Sequence, residues 1–329
     1  MRSIVVEQAG GPEVLVVREA ARPVPQAGQV LVRVAAAGVN YADVMMRGGR
    51  TAAPFPLTPG VEGAGTVEEV GPEVSGVAAG DRVAWSPVAG AGGWGSYAEY
   101  ACVAAAQLMP VPDDIGLRTA ATVILQGLTA HYLANEQYPV GPGTTVLVHA
   151  AAGGTGQTAV RWLKHLGATV VGTVSTDEKA ALARAAGVDH VIRYEEFAKA
   201  ARELTDGQGV HYIVDGVGGS TFRADLDAVR PRGHICVFGQ AGGVPAPFSP
   251  MELIPKSVTV AGGYMTNFLR TRDEVLGKAD AVWAGVREGW LAPDPATAFP
   301  LDAAADAHAR LEGRASTGKL VLTVSPEAD

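Results

Sequence analysis

The sequence predicts an α/β protein in which a mostly antiparallel β domain is followed by a parallel, doubly wound sheet. Up to about residue 115 the chain carries short alternating apolar runs separated by turn residues. Beyond about residue 117, Ala-rich helical segments alternate with buried strands, which indicates βαβ crossovers. A length of 329 residues favours about two domains. We therefore predict one domain at 1–120 and a second at 121–264, with 265–329 returning to the first.

Each predicted strand depends on its own apolar run. In the first domain the alternating runs lie at 30–34, 65–70, 81–85 and 97–101. In the second domain continuous runs lie at 145–148, 169–174, 190–192, 212–215, 234–238 and 257–261. Residues 271–291 show helical spacing, and an apolar run at 319–324 predicts a closing strand. The pattern alone does not specify which sheet that last strand joins.

A glycine-rich turn follows the first strand of the second domain, in the segment Val146-Leu-Val-His-Ala-Ala-Ala-Gly-Gly-Thr-Gly156. Gly153 and Gly154 allow a sharp turn that approaches a pyrophosphate, and Gly156 allows the following helix to pack closely on the strand. An anion would contact the amides at the start of that helix. Because strand, turn, helix and strand follow in order, we predict dinucleotide binding; the alternative is an ordinary strand-to-helix turn.

The end of the second strand in this unit favours NADPH over NADH. An NAD site has an acidic residue there to accept the ribose hydroxyls, whereas this chain has Ser175. Asp177 follows closely, but its position is typical of a helix start; ribose binding is the alternative. Ser175, Thr176 and Lys179 offer two hydroxyls and an ammonium to a 2'-phosphate, although Lys179 is also explained as a solvated helix lysine.

Two further turns follow later strands, at 214–219 and 237–240. Ligands of open α/β sheets bind beyond the carboxyl ends of the strands, so these turns are expected to flank the ribose and nicotinamide. The alternative is that they are only tight turns. His149, directly before the glycine turn, is interpreted as a core histidine rather than a catalyst.

Composition limits the classes of partner. The net charge of -8 argues against nucleic acid and anionic membranes as main partners. Cys102 and Cys236 are isolated, which fits a reducing, cytoplasmic location and gives no disulfide framework. The N-terminus lacks the apolar region of a signal peptide, and no apolar run is long enough to span a bilayer.

Six motifs in order give the chain a resemblance to a known family. They are Gly38-Val-Asn-Tyr-Ala-Asp43, Pro59-Gly-Val-Glu-Gly-Ala-Gly65, Gly80-Asp-Arg-Val83, Gln126-Gly-Leu-Thr129, Ala150-Ala-Ala-Gly-Gly-Thr-Gly156 and Thr317-Gly-Lys-Leu-Val-Leu322. With them the chain resembles the zinc-free medium-chain dehydrogenase/reductases of the quinone oxidoreductase (zeta-crystallin-like) branch. The resemblance implies a GroES-like substrate and catalytic domain, a Rossmann NADPH-binding domain, a cleft between them and a homodimer.

The resemblance also implies the absence of a catalytic zinc ion. Zinc-dependent relatives carry Cys, His and Cys where this chain has Asn40, Val61 and a position near Leu125. A catalytic zinc site needs three protein ligands, and the seven histidines show no compensating cluster. We therefore predict no metal.

Catalysis is assigned to Asn40 and Tyr41, which the family places at the cleft. The Asn40 amide is expected to orient nicotinamide or an acceptor oxygen, and Tyr41 to donate a proton; the alternative is that Tyr41 only packs. Asp43 is interpreted as a hydrogen-bond anchor. The predicted cofactor-binding residues are Asn40, Gln126, Thr129, Gly153, Gly154, Thr155, Gly156, Ser175, Thr176, Lys179, Tyr194, Val217, Phe238, Gly239, Gln240 and Lys319.

Without zinc, hydride must pass to an acceptor that is already electrophilic. The leading hypothesis is an NADPH-dependent quinone oxidoreductase. The second is an NADPH-dependent enal, enone or enoyl reductase, and the third is a non-catalytic NADPH-binding sensor. Aromatic and apolar residues are candidates for the wall of an acceptor pocket, with core or rim packing as the alternative for each: Trp94, Tyr97, Tyr264, Met265 and Phe268.

Overall fold

A computed structural model of the chain describes residues 1–51, 53–89, 95–291, 297–313, 316 and 318–325. Trp94 and Thr317 therefore lie outside the described residues. The chain divides into two compact units, the first formed by 1–128 with 266–329 and the second by 129–265.

The first unit begins with strands and one short helix, and a long helix follows them. In chain order these elements are β1 (Arg2–Val5), β2 (Val16–Glu19), β3 (Gln29–Val39), α1 (Tyr41–Arg47), β4 (Gly63–Val70), β5 (Arg82–Trp85), β6 (Tyr100–Ala104), β7 (Leu108–Pro110) and α2 (Leu117–Asn135). The part of α2 from Thr129 onward belongs to the second unit.

The second unit alternates strands and helices. Its elements are β8 (Thr145–Val148), α3 (Gly154–His165), β9 (Thr169–Val174), α4 (Asp177–Ala185), β10 (His190–Arg193), α5 (Phe197–Glu203), β11 (Val210–Asp215), α6 (Phe222–Ala228), β12 (Val229–Val237) and β13 (Thr259–Gly262). The strands pair in parallel in the order β10-β9-β8-β11-β12-β13. The order reverses between β8 and β11, which is the topological switch point where ligands of such sheets bind.

The C-terminal segment supplies four more elements, α7 (Arg272–Arg287), β14 (Thr297–Pro300), α8 (Ala304–Glu312) and β15 (Leu320–Thr323). β15 pairs antiparallel with the carboxyl half of β3, and β14 pairs with β15. Together with β4, β5, β6 and β7 they form the largest sheet of the first unit. The predicted α/β class, with one mostly antiparallel and one parallel sheet, is confirmed.

The start of β6 was predicted wrongly. The alternating run at 97–101 predicts a strand from Tyr97, but β6 begins at Tyr100. Tyr97 instead packs in the core of the first unit, 0% exposed, and its hydroxyl contacts Asp43 and His308. Tyr97 is therefore a core residue and not part of a pocket wall. Among the described residues, no helix is both long and apolar enough to cross a membrane.

Candidate active site and dinucleotide site

A buried polar cluster lies in the first unit where β3 ends. Asn40 follows β3, Glu62 precedes β4, Gln126 lies on α2 and Lys319 precedes β15. All four side chains are at most 8% exposed. Lys319 Nζ donates to Asn40 Oδ1 at 2.7 Å and also contacts Glu62 Oε1, while Gln126 Nε2 donates to Asn40 Oδ1 at 2.8 Å. The structure thus brings together Asn40, Gln126 and Lys319, three of the predicted site residues.

The Asn40 side chain is already fully hydrogen-bonded within this cluster. Its Oδ1 accepts two hydrogen bonds, and its Nδ2 donates to Glu62 Oε1 at 3.1 Å and to the Gly38 carbonyl at 3.4 Å. Gln126 Oε1, in contrast, is buried without a hydrogen-bond partner among the described residues. An unpartnered buried oxygen is costly, so this atom is suited to accept a donor from a bound ligand. Asn40 organises the cluster, and Gln126 has the open acceptor.

Asp43 fixes the backbone around Asn40. Its Oδ2 accepts the Asn40 N–H at 2.9 Å, and its Oδ1 accepts the N–H groups of Gly60 and Val61 at 3.2 and 3.0 Å. Burial raises the pKa of Asp43 to about 6, and the hydrogen bond from Asn40 opposes this shift. Asp43 therefore acts as the anchor between the start of α1 and the segment before β4.

A chain of buried polar groups extends from Asp43 to the surface. The Tyr97 hydroxyl contacts Asp43 Oδ2 at 3.3 Å and His308 Nε2 at 3.1 Å. On the other side of the ring, His308 Nδ1 lies 3.2 Å from Arg47 Nη1, and Arg47 forms a two-point ion pair with Glu312 at 2.8 Å. Burial, with the positive charge of Arg47, lowers the pKa of His308 to about 4.

The lowered pKa of His308 predicts a pH-dependent stability. Between about pH 6.5 and 4 the unfolded chain binds a proton at this histidine and the folded chain does not. The contribution of His308 to the free energy of unfolding therefore falls as the pH falls. His308→Gln cannot titrate. The stability difference between wild type and His308→Gln should therefore decrease by about 3 kcal/mol from pH 6.5 to pH 4. Urea unfolding of both proteins across this range measures it, and a difference that stays constant with pH would contradict the assignment.

Tyr41 is the first residue of α1 and is 36% exposed. Tyr41 directly follows Asn40 in the chain, and its side chain is not part of the core. The proposed proton donation by Tyr41 stays a prediction.

The glycine turn of the second unit leads from β8 into α3. Gly153 is the N-cap and supplies no side chain to the first turn. The amides of Gly154, Thr155 and Gly156 lie in that turn, where no earlier helical carbonyl can accept them. A Cβ on Gly156 would lie 2.2 Å from the Ala150 carbonyl oxygen. The turn therefore needs glycine at 156 and presents backbone donors to an anion.

Gly156→Ala should destabilise the protein by about 1–3 kcal/mol, because the new methyl group has no room against the backbone of Ala150. It should also weaken nucleotide binding by displacing the first turn of α3. Gly277→Ala is the matched control, since a Cβ there meets nothing within 4 Å and a helical alanine stabilises by up to about 1 kcal/mol. Thermal melting measures both, and equal shifts in the two variants would contradict the close packing.

His149 is buried directly before this turn, as expected for a core histidine. Its Nδ1 lies 2.9 Å from Thr173 Oγ1 and its Nε2 lies 2.8 Å from Asp225 Oδ1. Burial raises the pKa of Asp225 to about 7, and His149 opposes the shift. The Tyr194 ring stacks on His149, and its hydroxyl accepts the Ala150 N–H at 3.0 Å. The base of the glycine turn is thus held by side chains from neighbouring strands and from α6.

Most of the other predicted cofactor residues follow the carboxyl ends of strands in the same sheet. Thr176 is the N-cap of α4 and accepts the Lys179 N–H at 3.2 Å; Ser175 precedes it. After β11, Asp215 Oδ1 accepts the Val217 N–H at 2.8 Å. After β12, the Phe238 ring lies against Gly216, and Gly239 and Gln240 follow it. Thr129, in α2, has its hydroxyl 3.5 Å from Met265 Sδ.

Comparisons with known proteins identify the family of this chain. Family models match residues 26–113 (alcohol dehydrogenase GroES-like domain) and 154–280 (zinc-binding dehydrogenase). The chain is 39% identical to quinone oxidoreductase of Pseudomonas aeruginosa, over 95% of this chain and 96% of that protein. The chain belongs to the quinone oxidoreductase family of medium-chain dehydrogenase/reductases.

Two further members of this family are informative. One is 2-haloacrylate reductase of a Burkholderia species, 38% identical over 97% of each chain. The other is the Escherichia coli quinone oxidoreductase, whose structure was solved in complex with NADPH. It matches 98% of this chain and 100% of its own with a TM-score of 0.94 at 33% identity. The resemblance predicted from the six motifs is confirmed.

The donor set around Asn40 does not suit zinc, although one family model is named for it. Glu62 is the acidic side chain that contacts Asn40 Nδ2, and the Lys319 ammonium contacts both residues. Among the described residues, the one group of three possible metal ligands close enough to share an ion is His149, Asp215 and Asp225 in the second unit. There His149 and Asp225 bond to each other, and Asp215 is occupied by backbone amides and Thr221.

Sequence reasoning missed Glu62, His308 and Asp225. Glu62 is an acidic residue within the small apolar run 61–65, and such a charge, if buried, requires a partner; this signal was available. His308 and Asp225 lie on amphipathic helices, and nothing local shows that they face the core.

Proposed function

We propose that this protein, an NADPH-dependent oxidoreductase, reduces a quinone by direct hydride transfer without a metal ion. The observation that carries this proposal is the Lys319 ammonium bound to Asn40 and Glu62. It lies where the family resemblance implies a catalytic zinc in zinc-dependent relatives. Neither the positive ammonium nor the neutral amide is a zinc ligand, and Glu62, held by Lys319, is one carboxylate where such an ion requires three protein ligands. The acceptor must then be electrophilic by itself.

The second unit has the features that NADPH requires. The first-turn amides of α3 suit the pyrophosphate, and Ser175, Thr176 and Lys179 are proposed to bind the 2'-phosphate. Val217, Phe238, Gly239 and Gln240 are proposed to contact the nicotinamide half. The open Gln126 Oε1 is proposed to accept a hydrogen bond from the ribose or carboxamide. When bound, NADPH supplies the hydride; the protein orients it and excludes water.

A second activity, saturation of a conjugated carbon-carbon double bond, is favoured by one observation. The Burkholderia relative is named a 2-haloacrylate reductase and is 38% identical over 97% of this chain. Tyr41, partly exposed at the start of α1, is the candidate proton donor for that reaction. The third hypothesis, a non-catalytic NADPH sensor, predicts binding without turnover.

The test is NADPH consumption with quinones, enals and enoyl thioesters, followed by identification of each product. We expect hydroquinone formation at the highest kcat/KM. Faster saturation of a double bond would support the second activity. Tight NADPH binding without oxidation by any acceptor would contradict both.

We also propose that the protein is a homodimer. β13 ends the sheet order of the second unit, so one of its edges has no partner strand among the described residues. Met251, Ile254 and Tyr264, on either side of β13 in the chain, are 61–68% exposed. An unpaired edge with apolar neighbours favours pairing with a second copy. Light scattering at micromolar concentration should give twice the chain mass, 67.4 kDa from 33.7 kDa per chain, and a monomer mass would contradict the proposal.

Two further expectations remain proposals. Cys102 and Cys236 are free, which supports a reducing, cytoplasmic location. The functional division into a substrate and catalytic domain at 1–120, a cofactor domain at 121–264 and a returning segment at 265–329 also remains proposed. Cell fractionation would test the location, because a cytoplasmic protein should appear in the same fraction as a cytoplasmic marker.

A further inference from the structure

Arg193 ends β10 at the edge of the cofactor sheet. In the pairing of β9 with β10 its partner is Val174, the last residue of β9. The predicted 2'-phosphate residues Ser175 and Thr176 follow Val174 directly. Arg193 therefore lies on the neighbouring strand, beside the position that decides between NADPH and NADH.

The two ends of the Arg193 guanidinium have different environments. Nη2 contacts Asp177 Oδ1 at the start of α4. Nη1 is shielded from solvent and has no hydrogen-bond partner among the described residues. The Asp177 side chain is fully exposed, so the ion pair adds little to stability. The consequence of the ion pair is electrostatic, because it neutralises the carboxylate that directly follows the proposed phosphate-binding residues Ser175 and Thr176.

We propose that Arg193 determines cofactor specificity, because it neutralises Asp177 and, by rotation of a side chain that is 37% exposed, turns the unpaired Nη1 to the 2'-phosphate of NADPH. This inference depends on the proposed use of NADPH. An unpaired carboxylate beside the end of the second strand would repel a phosphate and accept ribose hydroxyls, as in NADH sites. With Arg193 in place, the same carboxylate holds the guanidinium, whose planar fork suits phosphate oxygens.

The experiment measures binding rather than turnover, by calorimetry with NADPH, NADH, adenosine 2',5'-bisphosphate and 5'-AMP. The variants are Arg193→Gln, Arg193→Lys, Asp177→Asn and the double variant Arg193→Gln/Asp177→Asn. Arg184→Gln, an exposed arginine on α4, is the matched control. Melting temperatures establish that each variant is folded. If Arg193→Gln is destabilised, Arg193→Lys replaces it as the test variant.

Arg193→Gln is expected to weaken NADPH and the 2',5'-bisphosphate about ten- to a hundredfold, the size of a lost hydrogen bond to a charged group. NADH and 5'-AMP should bind as in wild type or more tightly, because Asp177 is released. Arg193→Lys should be intermediate, since it keeps the charge but not the fork. Asp177→Asn should bind NADPH more tightly, and adding it to Arg193→Gln should restore part of the loss.

Two results overturn the inference in distinguishable ways. If wild type prefers NADPH but Arg193→Gln weakens NADPH and NADH equally, or no more than Arg184→Gln does, the specificity role is wrong and the proposed function stands. If wild type binds NADH as tightly as NADPH, and the 2',5'-bisphosphate no better than 5'-AMP, the proposed use of NADPH fails together with the inference.

Discussion

Lys319→Met is expected to lower the free energy of unfolding by about 3–5 kcal/mol, the usual effect of removing one partner from a buried ion pair. The reason is Glu62, which is 0% exposed and would be left as an uncompensated buried charge. Its remaining contacts, the N–H of Leu125 at 3.0 Å and Nδ2 of Asn40 at 3.1 Å, do not neutralise it. Urea unfolding at neutral pH measures the loss.

Two controls separate this effect from the loss of any lysine. Lys319→Met/Glu62→Gln removes both charges and should recover most of the stability, because no buried charge remains. Lys164 forms an ion pair with Asp189 in which both side chains are 34% exposed, so Lys164→Met should cost about 1 kcal/mol or less. If Lys319→Met costs no more than Lys164→Met, the buried ion pair does not stabilise this cluster.

Tyr41→Phe is expected to lower turnover in double-bond saturation by about 10²- to 10⁴-fold, the range for loss of a general acid. Hydride addition to a conjugated carbonyl leaves an enolate that needs a proton at carbon, and the Tyr41 phenol is the proposed donor. Quinone reduction should change little, since the product oxygens can take protons from water. The comparison of kcat for both acceptors in one variant is the measurement.

The Tyr41 variant retains the anchoring of α1, because the anchor is the hydrogen bond from the Asn40 N–H to Asp43 and does not use the Tyr41 phenol. A solvent deuterium isotope effect on double-bond saturation should be present in wild type and should change in Tyr41→Phe. Equal loss of both reactions would instead indicate that the ring positions the acceptor. Unchanged saturation would remove Tyr41 from the chemistry.

The sequence was most informative where structure is local. The run at 145–148 and the strand at 169–174 match β8 and β9 residue for residue, because each is rich in β-branched residues and bounded by turn residues. The helix that the sequence predicts after Gly156 already begins at Gly154, because glycines add nothing to an apolar pattern. Hydrophobic periodicity does not detect a first helical turn that consists of small residues.

The site was predictable only in part, because its contacts join distant segments. Asn40, Gln126 and Lys319 were named through the family motifs, not through any pattern that places position 319 beside position 40. The Tyr97 hydroxyl, His308 and Arg47 come from three distant segments of the chain, and hydrophobic periodicity does not reveal polar contacts of this kind. The filled hydrogen-bonding capacity of Asn40 likewise required the structure.

The central claim is that hydride passes from NADPH to an electrophilic acceptor without a metal ion. Its most direct test is quinone-dependent NADPH oxidation by enzyme that elemental analysis shows to contain no zinc after chelator treatment. We predict the same turnover before and after treatment, with no gain when zinc is added. Turnover that is lost with the chelator and restored by one equivalent of zinc would contradict the claim.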